Sequence, residues 1–121
     1  MVFHWLGWLA LACCLPLAVK LFGRDFWRRL RQRGGGSIIH KRLGIIMLAL
    51  AGFHCILLLV GGKGLTPAGL SGILALLCGI LVALCYACRK SLRAKWLSLH
   101  RKGTVLFAVM LVVHLLIAFN I

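Results

Sequence analysis

The chain has 121 residues, 63% of them hydrophobic, and a mean hydropathy of +1.05. This apolar fraction is far above that of soluble domains, so the composition predicts a membrane protein and leaves no stretch for a separate soluble domain. Fifteen Lys and Arg against one acidic residue give a net charge of +14. These charges lie in or beside predicted loops rather than on a folded basic surface, and nucleic acid is therefore not a predicted partner.

Four apolar stretches, each of about twenty residues, are long enough to cross the ~30 Å hydrocarbon core of a bilayer as helices. They cover approximately residues 2–22, 38–60, 68–88 and 96–119. The first stretch has no basic residues ahead of its apolar core, so we interpret it as a retained helix rather than a signal peptide. The predicted fold class is all-α: a four-transmembrane-helix bundle in which residues 1–121 form a single membrane domain.

The segments between these stretches are short. Phe22, Phe26, Trp27 and Leu30 follow one another at helical spacing among arginines, which predicts a short helix in the membrane interface. Residues 61–67 contain three glycines and a proline and predict a tight turn. In the third apolar stretch, Gly72 and Gly79 offer small faces for close helix packing.

Basic clusters alternate along the chain with nearly neutral segments. Eight Lys and Arg lie from Lys20 to Arg42, Lys63 stands alone, and six lie from Arg89 to Lys102. By the positive-inside rule, both termini lie on the outer (periplasmic) side and the two basic segments face the cytoplasm and its lipid headgroups. The default localisation is a multi-pass protein of the bacterial inner membrane.

Four histidines occur as two pairs with the same spacing. His40 and His54 are fourteen residues apart in the second apolar stretch, and His100 and His114 are fourteen apart in the last. Fourteen residues rise about 21 Å along a helix and return to nearly the same face. Both helices are predicted to run outward from the cytoplasmic side, so His40 meets His100 at the inner depth and His54 meets His114 at the outer depth. Such an arrangement is typical of two haem b groups, each with two axial imidazoles.

Residues beside these histidines fit the same hypothesis. Gly44 and Gly103 lie three or four positions after a predicted inner ligand and leave room for a porphyrin plane. Four basic residues would attract haem propionates, although basic residues are also expected at a cytoplasmic helix end for topology alone. They are Lys41, Arg42, Arg101 and Lys102.

The other ionisable residues are interpreted more simply. His4, beside Trp5 and Trp8, is an interface residue, with a quinone or partner site as the alternative. The six cysteines, including the Cys85 and Cys88 pair, are interpreted as small buried thiols rather than a metal or redox site. Asp25 is the only acidic residue, so no intramembrane carboxylate is present to support a proton-coupled transporter.

The segment Trp96-Leu-Ser-Leu-His100-Arg-Lys-Gly103, followed by His114, resembles the W-x-x-L-H-R haem helix of ferric-reductase-like transmembrane domains. Arg42-Leu-Gly44 followed by His54 resembles their other haem helix, and the paired histidine spacing is similar to that of cytochrome b561-type proteins. The resemblance covers residues 38–121. It implies that the four histidines are axial ligands and that electrons cross the membrane. Enzymatic members of that family carry a flavin and nicotinamide domain that this sequence lacks.

These observations predict a di-haem cytochrome b electron-transfer subunit of an oxidoreductase complex, not itself catalytic. We expect it to connect a quinone or an inner-side donor with other redox subunits. One alternative is a haem-free structural or assembly subunit in which the histidines only form hydrogen bonds across helices. A small transporter is the other alternative.

Overall fold

The structure is a computed structural model, and it describes residues 2–23, 25, 28, 29, 32 and 36–120. Within these residues the secondary structure is helical and contains no β-strand, which confirms the all-α prediction. The chain divides into two compact units, residues 1–54 and 55–121, and each is described by itself.

Three helical segments of the described residues are long and apolar enough to span a membrane: Ile38–Val60, Pro67–Ala87 and Arg89–Phe119. A shorter apolar helix covers His4–Val19. Large apolar side chains such as Leu74, Leu81 and Val109 are exposed along these helices. Continuous exposed apolar surface is rare on soluble proteins and compatible with contact to lipid. By length and composition, the chain is a multi-pass membrane protein.

The first unit contains helix α1, Val2–Phe22, and most of helix α2, Gly36–Val60. The bounds of α1 are those predicted, and the helix runs through Pro16. Helix α2 starts at Gly36, two residues before the predicted position 38. The N–H groups of a first helical turn have no intrahelical partners, so a glycine is tolerated at that position. Three of the four residues on which the predicted interfacial helix rests, Phe26, Trp27 and Leu30, lie outside the described residues.

Small side chains form the buried face of α1. Ala10 and Cys14 are buried, and Gly7 lies on the same face at helical spacing. In α2, Met47 is buried and precedes His54 by two turns on the same side of the helix. Because the residues on the buried face of α1 are small, another helix can approach that face closely.

A tight turn leads into helix α3, Pro67–Ala87. Thr66 caps this helix, since its Oγ1 accepts a hydrogen bond from the Gly69 N–H at 3.1 Å and donates one to the Lys63 carbonyl at 2.7 Å. Pro67 occupies the first helical position, where no N–H is required, so α3 begins one residue before the predicted start. Gly62 turns the chain with a φ of 73°, a conformation that favours glycine.

The connection from α3 to the last helix is more regular than predicted. The sequence predicts a loop over residues 89–95, but the structure has a short helix α4, Arg89–Leu92, and a 3-10 turn, Arg93–Lys95. The reversal occurs at Arg93, whose φ is 50°. Helix α5, Trp96–Phe119, then begins and ends at the predicted residues.

Helices α3 and α5 pack against each other in antiparallel directions. The side of α3 that is most buried carries Ser71, Ala75 and Gly79, each four residues from the next. Such a row of small residues allows two helix backbones to approach closely in a membrane. This packing brings two histidines of α5 against the backbone of α3.

Candidate functional site

The imidazole of His114 is held at the beginning of α3. Its Nδ1 lies 3.1 Å from the Ala68 carbonyl oxygen and 3.2 Å from Ser71 Oγ. Ser71 Oγ also donates a hydrogen bond of 2.9 Å to the same carbonyl. Because a carbonyl oxygen only accepts, the Ala68 contact requires Nδ1 of His114 to carry the proton.

The imidazole of His100 is held in the same way near the end of α3. Its Nδ1 lies 3.0 Å from the Val82 carbonyl oxygen. The ring centroid of His100 is 6.1 Å from that of Trp96, which in turn contacts Tyr86 edge to face at 6.0 Å. The same chemical argument places the proton of His100 on Nδ1.

These hydrogen bonds determine what each ring can do chemically. A neutral histidine with its proton on Nδ1 has its lone pair on Nε2, the nitrogen through which such a tautomer coordinates a metal. Histidine ligands characteristically donate their other N–H to a carboxylate or a backbone carbonyl, which fixes the ring orientation. The Val82 and Ala68 carbonyls therefore hold His100 and His114 in the way that backbone carbonyls orient metal-ligating histidines.

Glycines lie directly beside the rings of His54 and His114. A Cβ atom placed on Gly72 of α3 would be 3.0 Å from Cε1 of His114. In the first unit, a Cβ placed on Gly7 of α1 would be 3.3 Å from Cε1 of His54. Both distances are shorter than ordinary van der Waals contact. Each imidazole therefore occupies the space into which the side chain of a residue larger than glycine would extend.

The other predicted site residues have more varied surroundings. His40 is half-buried on α2. A Cβ on Gly44 would meet no described atom within 4 Å, whereas a Cβ on Gly103 would be 3.0 Å from Val82 Cγ2. Gly103 therefore lies against α3, and Val82 fills the space there. The four basic residues are exposed; they are Lys41, Arg42, Arg101 and Lys102.

The structure brings His54 to α1 and both His100 and His114 to α3. The predicted pairs, His40 with His100 and His54 with His114, join residues of the two separate units and stay predictions. Within the part of the chain that the structure describes, no group of three or more His, Cys, Asp or Glu side chains comes together.

The remaining candidates are His4, the six cysteines and Asp25. His4 is exposed on α1. The six cysteines are free thiols; Cys14 is buried, Cys88 is exposed, and the others are half-buried. Asp25 accepts a 2.6 Å hydrogen bond from Arg28, and both side chains are exposed.

Three residues of the site were missed by sequence reasoning. Ser71 is the only serine or threonine in α3, and Gly7 is the only glycine within α1, so each had a detectable signal. Tyr86 is the only tyrosine in the chain. None could be assigned to a histidine without the pairing of the helices.

No protein-family model matches the chain, and neither a curated protein nor a solved structure matches it.

Proposed function

We propose that the chain is a di-haem cytochrome b subunit that carries electrons across a membrane. His40 and His100 would be the axial ligands of an inner haem iron, and His54 and His114 those of an outer one. Haem iron with two imidazole ligands supplies reversible one-electron transfer between the ferric and ferrous states. The protein's part is to hold the ligands, exclude water and separate the two sites.

The observation that carries this proposal is the shared environment of the two α5 histidines. Each donates its Nδ1 proton to a backbone carbonyl of α3, at 3.0 Å for His100 and 3.1 Å for His114. Both rings are thus fixed in the tautomer that coordinates through Nε2. Two histidines fourteen residues apart with the same tautomer are expected of two equivalent ligands on one helix.

Charge and space near the inner ligands support haem in part. The exposed cations Arg101 and Lys102 directly follow His100, and Lys41 and Arg42 directly follow His40, so propionates would find positive charge beside either ligand. Gly44 offers space for a porphyrin edge, whereas Gly103 is packed against Val82. We therefore assign the space for the inner haem to the Gly44 side.

The proposed membrane arrangement follows from charge. A bundle of four spans with both termini on the periplasmic side of a bacterial inner membrane puts both basic clusters in the cytoplasm. The histidines of each helix would be about 21 Å apart along the helix axis, a distance suited to two successive electron-transfer sites. Lipid would cover the exposed apolar faces.

The subunit would transfer electrons between a quinone or an inner-side donor and other redox subunits of a complex. A quinone would bind beside one of the haems. The chain would not be a catalytic subunit, and its contribution would be a fixed path for electrons.

Ligand substitution tests this proposal. We expect His114→Ala and His54→Ala each to remove the outer haem and to leave the inner haem visible in a dithionite-reduced spectrum. His4→Ala is the matched control, because His4 is exposed and lies at a helix start, and it should retain both haems. Two normal haems in both outer variants would refute the ligand assignment.

The same hydrogen bonds support a second candidate function, a haem-free structural or assembly subunit. In that case His100 and His114 serve only to bond α5 to α3. The His114→Ala variant would then lose stability, and neither it nor the parent would absorb in the visible region. A Soret band in the purified parent protein excludes this second function.

A further inference from the structure

Six exposed cations lie at one end of the second unit, around the connection between α3 and α5. They form what we name the cationic turn: Arg89, Lys90, Arg93, Lys95, Arg101 and Lys102. The sequence has no Asp or Glu after Asp25, and Asp25 is bonded to Arg28. Residues 55–121 therefore contain no acidic side chain that could neutralise the turn.

Hydrogen bonds hold the backbone at the start of the turn, and the Arg89 side chain has contacts of its own. The Ser91 and Leu92 N–H groups donate to the Cys88 carbonyl at 3.0 and 2.9 Å. Arg89 donates to the Tyr86 carbonyl at 3.1 Å, and its guanidinium carbon lies 4.4 Å from the centre of the Tyr86 ring. The guanidinium is thus positioned by a hydrogen bond and a cation–π contact.

An aromatic pair marks the depth of the turn in a membrane. Tyr86 at the end of α3 and Trp96 at the start of α5 contact each other edge to face. Tyr and Trp concentrate at the level of lipid headgroups, because their rings are apolar and their polar atoms require water or hydrogen bonds. The cations of residues 89–95 therefore lie at the level of the phosphates.

Two further cations lie on the membrane side of this pair. Arg101 and Lys102 follow Trp96 by five and six residues, which corresponds to about 7–9 Å along α5. Long basic side chains at such positions extend back towards the interface. An anion that contacts these two cations and residues 89–95 together must lie in the membrane interface. A lipid phosphate lies there, whereas a dissolved ion does not.

From this arrangement we propose that the cationic turn is a binding surface for the headgroups of anionic phospholipids. The phosphodiester of a lipid such as phosphatidylglycerol would accept hydrogen bonds from Arg89, Arg93 and the flanking lysines. The surface would enrich anionic lipid beside α3 and α5 relative to zwitterionic lipid. Arg89, Lys90, Arg93 and Lys95 have no role in the proposed haem sites, so a test that changes only these four residues is separate from the proposed function.

The test counts the lipids that the unmodified protein retains. The protein in detergent micelles is incubated with equal amounts of phosphatidylglycerol and phosphatidylcholine, and native mass spectrometry gives the ratio of the two lipids bound. The same measurement on variants of the turn shows whether the turn causes the preference.

We expect a preference for phosphatidylglycerol of about fivefold for each contacting charge. Arg89→Gln with Arg93→Gln should lower this preference, and adding Lys90→Gln and Lys95→Gln should lower it further, to the contribution of Arg101 and Lys102 alone. Lys63→Gln, the matched change at the opposite connection, should leave it unchanged. Single substitutions of Lys90 and Arg93 give the same test if the multiple variant does not fold.

Equal retention of the two lipids by the parent would overturn the proposal, as would a preference as large in the multiple variant as in the parent. Loss of the preference in millimolar inorganic phosphate would also overturn it, because a free anion would then occupy the turn. Mass spectra in which the parent retains more phosphatidylglycerol than the multiple variant would support it.

Discussion

Replacing Ser71 with Ala should weaken the packing of α5 on α3 by a small and measurable amount. The hydroxyl is 3.2 Å from Nδ1 of His114 and 2.9 Å from the Ala68 carbonyl oxygen, and Ser71 is only 6% exposed. Hydrogen bonds between membrane helices contribute about 0.6 kcal/mol on average and at most about 1.7 kcal/mol. Because His114 keeps its bond to Ala68 at 3.1 Å, we expect a loss near the average value.

Reversible unfolding in mixed micelles of mild detergent and dodecyl sulfate, followed by circular dichroism, measures this loss. Ser98→Ala is the matched control, since Ser98 is exposed on α5 and should change the free energy of unfolding by less than about 0.5 kcal/mol. In a His114→Ala background, Ser71→Ala should cost less than it does alone, because its partner is gone. An unchanged cost in that background would refute the assigned hydrogen bond.

Other substitutions test the remaining contacts. Gly72→Ala should be at least about 1 kcal/mol less stable than Gly52→Ala, although a mid-helix change from Gly to Ala otherwise stabilises a helix. A Cβ at position 72 would be 3.0 Å from His114, whereas a Cβ at position 52 would meet no described atom within 4 Å. Equal stability of the two variants in mixed-micelle unfolding would contradict the close contact. Gly7→Ala should displace the His54 ring, because the added Cβ would be 3.3 Å from His54 Cε1. If His54 is a haem ligand as proposed, the absorption spectrum of one haem should broaden or shift. An unchanged spectrum would show that Gly7 does not position a haem ligand. Thr66→Ala should destabilise by about 1 kcal/mol through loss of the α3 cap, with Thr104→Ala as a control that leaves the helix start intact. A Thr66 variant as stable as the Thr104 variant would show that the cap contributes little.

The helix bounds were largely predictable because composition alone separates membrane helices from polar connections. Helices α1 and α5 have the predicted bounds, and α3 differs by one residue at each end. The difference at Pro67 follows from local chemistry, since Thr66 and Pro67 form a cap that hydropathy does not register. The helical turn at residues 89–95 was missed because a short basic segment has no apolar periodicity.

The candidate site was predictable only in part. The fourteen-residue spacing identifies His100 and His114, but it contains no information on which backbone atoms receive their Nδ1 protons. Those partners, the carbonyls of Val82 and Ala68, belong to another helix and depend on the register of α3 against α5. Gly103 shows the same limit, because its contact with Val82 of α3 also depends on that register.

The most direct test of the haem proposal is the number of haems bound by each chain. A dithionite-reduced minus oxidised spectrum of the purified protein, expressed with ample haem, is combined with pyridine haemochrome quantitation. The proposal predicts two b-type haems per chain, each with the spectrum of a low-spin, bis-histidine centre. A folded protein that binds no haem would contradict it and would leave the histidines as structural bonds between helices.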